Sequence, residues 1–205
     1  MKKELLNIIG TLFILSGIAG IVVNIYTKTP YHLVWFCNHT TLIIGTAILL
    51  RSRFWVTAEL NIALIPQTLW SIDFLSKLIF DKFIFGFTDY MFSPYYDKAL
   101  YILSWNHIFV VPITLAILYF IGKPVENAWK GSILHGAIIL IPSYILSNYA
   151  NLNCVIESCV FFLQTNLAYK ILWPPLFLLT VAIPTNYFLD WGFKKAGTLL
   201  TSWKR

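Results

Sequence analysis

Apolar runs of about 20 residues, each closed by a polar or proline-bearing break, recur along this chain at 5-25, 32-50, 54-80, 99-121, 131-150 and 171-193. Coiled at ~1.5 Å per residue, such a run crosses the roughly 30 Å of hydrocarbon in a bilayer. A water-soluble domain is excluded by what remains: of 205 residues 58% are hydrophobic and 12% charged, too few polar groups to coat a globule of this size. The chain is therefore expected to be one transmembrane domain, 1-205, an all-α polytopic bundle of about six membrane helices. The first run follows Met1-Lys2-Lys3 and has small residues at Ser16, Gly17, Ala19 and Gly20, as a signal peptide would; it is read as an uncleaved first helix.

Lysine and arginine counts set the expected orientation, because positive charge is retained on the cytoplasmic side. Lys2, Lys3, Arg51, Arg53, Lys123, Lys130, Lys194, Lys195, Lys204 and Arg205 put ten on one side, and Lys28, Lys77, Lys82, Lys98 and Lys170 put five on the other. Both termini are expected in the cytoplasm. The net charge of +6 follows from this asymmetry and calls for no nucleic-acid partner; anionic headgroups suit the basic C-terminal tail.

Topology converts position into depth. Two Asn-His pairs, Asn38-His39 and Asn106-His107, lie inside membrane runs, the first directly after Cys37. On helices descending from the outer face, Cys37 falls roughly 8 Å down and Asn106 and His107 roughly 11-12 Å down. Gln67, Asp73, Asn148, Asn151 and Asn153 reach the same outer half from other segments. The inner half offers fewer polar groups, chiefly Glu59, His135, Asn186 and Asp190 near helix ends. Polar groups from several helices at one depth must face protein or water, which is the arrangement of a buried site. Asn38-His39 and Asn106-His107 also open a weak internal echo, each followed by Ala-Ile-Leu, a basic loop, a Trp and a mid-helix Pro, as a duplicated hairpin would be.

A buried Cys is most often a small packing residue, and Cys37 has that reading. Its alternative role needs a base to take the thiol proton, and His107 on another helix suits this better than His39, which points to a different side of the same helix. Thr41, one turn on from Cys37, is the reserve nucleophile or an orienting hydroxyl. Asp73 and Lys77, four apart, are expected to neutralise each other, and the aromatic stretch from Phe83 to Tyr96 to form an interfacial belt. His32 and His135 are placed near span ends with no role. Cys154 and Cys159 lie where a disulfide could form in an oxidising compartment.

Five short motifs carry a family resemblance: Leu33-Val34-Trp35-Phe36-Cys37-Asn38, Leu64-Ile65-Pro66-Gln67-Thr68-Leu69, Asn106-His107, Asn148-Tyr149-Ala150-Asn151-Leu152-Asn153 and Trp173-Pro174. In this order they resemble the YwaF-like integral membrane family, whose animal relative is an acyltransferase remodelling ether phospholipids. The layout is more distantly similar to the androgen-induced membrane hydrolases of fatty acid esters. The resemblance implies a thiol-based lipid acyltransferase or lipid-ester hydrolase, with Cys37 as nucleophile, His107 as base and Gln67 beside them. It matches the asparagines 148, 151 and 153 less directly, and the family's His two residues before the Cys is here Trp35. Asn38, Gln67 and Asn106 are the expected oxyanion or orienting groups, membrane lipids the substrate, and no metal or cofactor is needed. Three other classes stand beside this one: a small proton-coupled transporter using Glu59, Asp73, His39 and His107, a haem protein with His39 and His107 as axial ligands, and a noncatalytic membrane scaffold, which would tolerate changes at Cys37 and His107 alike.

Overall fold

In the computed structural model, which describes residues 3–146, 151–159 and 166–202, every regular element is helical. The helices are α1 (Lys3–Tyr26), α2 (Phe36–Leu49), α3 (Arg53–Phe80), α4 (Lys98–Ser104), α5 (Asn106–Ile121), α6 (Trp129–Ile145), α7 (Leu167–Phe177) and α8 (Ile183–Ser202). Among them α1, α3 and the run Lys98–Ile121 are each long and apolar enough to cross a membrane. A fourth such unit exists if α7 and α8, bent by 46° near Pro174, count as one. These helices make the chain an integral membrane protein, and its surface agrees. Leu5, Ile8, Leu12, Leu15, Ile18, Val22 and Ile25 present one exposed apolar stripe along α1, and Leu134, Ile138, Ile141 and Ile145 another along α6.

Three expected runs are interrupted. The run 32-50 divides at Trp35 into a 3-10 turn, Pro30–Val34, and α2. The run 99-121 divides at Trp105, where Ile108 N–H bonds the carbonyl of Trp105 instead of that of Ser104. In the run 171-193, Leu178–Ala182 forms a π-helical turn, a wide loop of helix that recurs at functional sites. The run 131-150 shifts to Trp129–Ile145, its residues 147–150 lying outside the described residues.

Close backbone packing joins α1 to α2. A Cβ on Gly45 would stand 2.8 Å from both the Gly10 carbonyl oxygen and the Ile14 nitrogen, so only glycine permits this approach. Without water to drive association, such small-residue contacts are how membrane helices gain dispersion energy. Helix α3 is the hub, packed on α2, α5, α6 and α8. Its Val56, Leu60 and Ala63 bury with Ile44, Ile48, Val110 and Leu118 in the main core. Near the basic end, Asn186 Oδ1 accepts from Asn61 Nδ2 and from Trp129 N–H, both at 2.9 Å, while Asn61 Nδ2 also donates to Ser132 Oγ at 3.1 Å. This network pins α3, α6 and α8, since each amide left unpaired in hydrocarbon would cost several kcal/mol.

Candidate functional site

Helix α3 continues through Pro66, which has no N–H to offer the Ile62 carbonyl one turn earlier. That stretch faces a cavity of about 970 Å³, which draws its walls from α1, α2, α3, α4, α5, α7 and the segments 83–96 and 151–159. The volume lies at the upper end of the range for small-molecule sites. Eight of the residues singled out from sequence line it: Cys37, Asn38, Thr41, Gln67, Asn106, His107, Asn151 and Asn153.

His107 is held from two directions. Its Nδ1 lies 2.8 Å from the Ser104 carbonyl, the one released by the break at Trp105, and its ring stacks on Trp70 at 4.3 Å and 25°. A carbonyl only accepts, so Nδ1 carries the proton and Nε2 presents its lone pair. Cys37, in the first turn of α2, is a free thiol. Among the described residues no hydrogen bond joins Cys37 to His107, though both line the cavity. Thr41 is 2% exposed and spends its hydroxyl proton on the Cys37 carbonyl at 2.9 Å.

The amides divide by how far they are committed. Asn38 Nδ2 donates to the His32 carbonyl at 2.8 Å, and Asn106 Nδ2 to Ser16 Oγ at 3.4 Å. Asn153 is saturated: it accepts from Phe36 N–H at 3.1 Å and donates to the Val34 carbonyl and Ser143 Oγ, clamping α2 to α6. Asn151 accepts from the N–H groups of Ile156 and Glu157 and donates to the Glu157 carbonyl, shaping its own loop. Gln67 differs from all of these: it is 7% exposed, it lines the cavity, and its buried Oε1 has no partner. Asn148 lies outside the described residues.

Several expectations are corrected. His39 does not line the cavity; its Nε2 contacts the Leu33 carbonyl at 2.6 Å and its ring lies 6.0 Å from that of His135, so His39 and His107 do not face a common haem. Asp73 does not pair with Lys77, whose ammonium meets Asp81 at 2.5 Å. Instead Asp73 is fully buried: Oδ1 accepts from the N–H groups of Ile84, Phe85 and Gly86, and Oδ2 from the N–H and hydroxyl of Thr88. The aromatic stretch after it is more than a belt, since Phe83, Phe87, Tyr90 and Tyr96 line the cavity. Burial pushes the pKa of the Tyr90 and Tyr96 hydroxyls up. Cys154 and Cys159 form a disulfide that lines the same cavity.

Away from the cavity lies a feature that sequence position hid. Glu59 is 0% and His135 6% exposed, with Nδ1 and Oε1 3.0 Å apart but not aligned for an N–H···O bond. His135 is thus not solvated at a span end. A lone acidic residue in an apolar run was the available signal, because a carboxylate at such a position needs a partner.

Groups of three or more His, Cys, Asp and Glu suited to a metal are absent among the described residues. No family model, no curated protein and no solved structure matches this chain.

Proposed function

We propose that this chain is a membrane enzyme that transfers or hydrolyses the acyl group of a lipid ester, with Cys37 as nucleophile and His107 as base. One observation carries the reading: one cavity holds a thiol, an imidazole whose free nitrogen is fixed by the Ser104 carbonyl, and the unpartnered carboxamide oxygen of Gln67. In this mechanism His107 Nε2 takes the Cys37 proton, directly or through one water, as the loaded site draws the two together. The thiolate adds to the ester carbonyl carbon, and the tetrahedral intermediate expels the alcohol, which leaves with the proton from His107. The thioester on Cys37 is then attacked by water or by the hydroxyl of a lysolipid, deprotonated by the same imidazole, and the thiol re-forms. No cofactor or metal enters these steps.

We also propose six crossings, with both termini cytoplasmic and the cavity in the outer half. Lengths support this: the turn Pro30–Val34 and α2 extend for roughly 30 Å together and α6 for roughly 25 Å, at ~2.0 and ~1.5 Å per residue. The ten-to-five division of basic residues supports the orientation. Ester carbonyls sit just beneath the headgroups, the depth assigned to Cys37.

Intact-protein mass spectrometry tests the chemistry. Wild type incubated with an ester-linked diacyl phospholipid is expected to gain one acyl mass, and Cys37→Ser and His107→Ala are not. No adduct and no released fatty acid would remove the thiol mechanism. A proton-coupled carrier is the second reading, favoured by the buried Glu59–His135 pair. It predicts proton flux in proteoliposomes that Glu59→Gln abolishes.

A further inference from the structure

Helix α2 begins without a cap of its own. Its N-cap residue is Trp35, whose indole has no acceptor to offer the first-turn N–H groups. The missing acceptor comes from 117 residues away, where Asn153 Oδ1 takes the Phe36 N–H at 3.1 Å. Asn153 Nδ2 donates to the Val34 carbonyl at 2.9 Å and to Ser143 Oγ at 2.8 Å. One carboxamide thus spans the break at Trp35, bonding the backbone on both sides of it and tying it to α6. Cys37 directly follows Phe36, in the turn that this contact holds.

Asn153 stands in turn beside a disulfide. Cys154–Cys159 closes a ring with a sequence separation of 5, and both cysteines line the cavity together with Cys37. Asn153 and Cys154 are consecutive left-handed residues, with φ of 52° and 58°, a conformation that asparagine tolerates and cysteine rarely adopts. Such backbone persists only where its surroundings hold it. The ring contributes to this, and hydrogen bonds add to it. The Tyr169 hydroxyl donates to the Cys154 carbonyl at 2.7 Å, the Trp173 indole N–H to the Asn153 carbonyl at 3.4 Å, and Asn151 Nδ2 lies 3.8 Å from Cys159 Sγ. Neither cysteine is fully buried, which leaves the bond open to a small dithiol.

We propose that Asn153 is a positioning residue for Cys37 and that the Cys154–Cys159 disulfide is a redox-sensitive latch upon it. This goes beyond the acyl-transfer reading and does not depend on it. A dithiol opens the latch by giving two electrons and two protons to the cysteine sulfurs while it closes to a disulfide itself. The left-handed pair then relaxes, Asn153 leaves the Trp35 break, and the first turn of α2 loses its borrowed cap. Cys37, on that turn, reacts faster because the turn opens more often.

The test follows maleimide labelling of Cys37 in the full-length protein in micelles, with no lipid substrate present. Wild type, whose disulfide leaves Cys37 as the single thiol of three cysteines, is compared with Cys154→Ser/Cys159→Ser, with Asn153→Ala and with all three changes together. Loss of a cap and two further hydrogen bonds is expected to speed labelling about tenfold in the double-serine variant. Asn153→Ala, its disulfide confirmed by intact mass, should label as fast, and the triple variant within about twofold of either, because latch and amide act in series. Two changes that merely loosened the bundle would multiply instead. Folded wild type gives the same comparison without substitution: dithiothreitol, then peptide mapping of labelled Cys37, should reproduce the rise, and reoxidation should reverse it. Labelling within about twofold of wild type by either route of opening would overturn the latch. A rise that Asn153→Ala neither reproduces nor saturates would overturn Asn153 as the link. No arm uses an acyl donor, so a missing lipid adduct on Cys37 would remove the acyl-transfer reading and leave this one standing.

Discussion

Replacing Asp73 by asparagine removes one charge and one acceptor from a fully buried group, and its cost can be worked from the bonds it makes. With its oxygen in the Oδ1 position, the new carboxamide keeps the three N–H donors of Ile84, Phe85 and Gly86, now as neutral hydrogen bonds. Bonds to a charged acceptor contribute about 1.5–3 kcal/mol and neutral ones about 0.5–1.5, so three conversions cost about 3 kcal/mol. The carboxamide NH₂ meets the Thr88 N–H, formerly 3.0 Å from Oδ2, donor against donor. An unpaired buried donor adds about 1–3 kcal/mol, partly offset because no charge is now buried. The expected net loss is about 3 kcal/mol. Unfolding in mixed micelles by increasing mole fraction of SDS measures it, and maleimide labelling of Cys37 reports whether the Phe83–Tyr96 wall has lifted; faster labelling is expected. A change under about 1 kcal/mol with unaltered labelling would refute the view that this carboxylate holds the loop.

Three other outcomes are expected. Glu59→Ala or His135→Ala alone should destabilise by about 3–5 kcal/mol, as loss of one member of a buried pair does, whereas Glu59→Leu with His135→Phe should recover much of it; parallel unfolding curves decide this. Gly45→Ala should cost about 1–3 kcal/mol by forcing α1 from α2, and Gly45→Val more, measured by the same SDS titration. Cys154→Ser with Cys159→Ser opens a loop with a sequence separation of 5 and should cost about 2 kcal/mol, seen as a matching loss on reduction of wild type.

Helix positions were largely legible because they depend on where apolar residues run. The run 54-80 is α3, Arg53–Phe80, and the run 5-25 is α1, Lys3–Tyr26. The breaks at Trp35 and Trp105 were not, because no glycine or proline marks them. Each lies just before an Asn-His helix start, and each histidine ring contacts a carbonyl upstream of the break, Leu33 for His39 and Ser104 for His107. A side chain that competes for backbone carbonyls leaves no periodic trace in sequence.

Position along a helix was readable by counting; facing was not. Cys37 and His39 differ by two residues, and that offset alone sends the first toward the cavity and the second toward His135. The same limit hid Asp73, which by spacing belonged with Lys77 but by direction meets a loop more than ten residues on. Counting therefore gathers the residues that share a layer, while only packing selects those that share a site. Of the residues so gathered, Cys37, His107 and Gln67 line one cavity, walled on one side by Phe83, Phe87, Tyr90 and Tyr96. All three stand on helices, whereas the aromatic wall is fastened by one carboxylate, so Asp73→Asn should loosen that wall before the bundle itself unfolds.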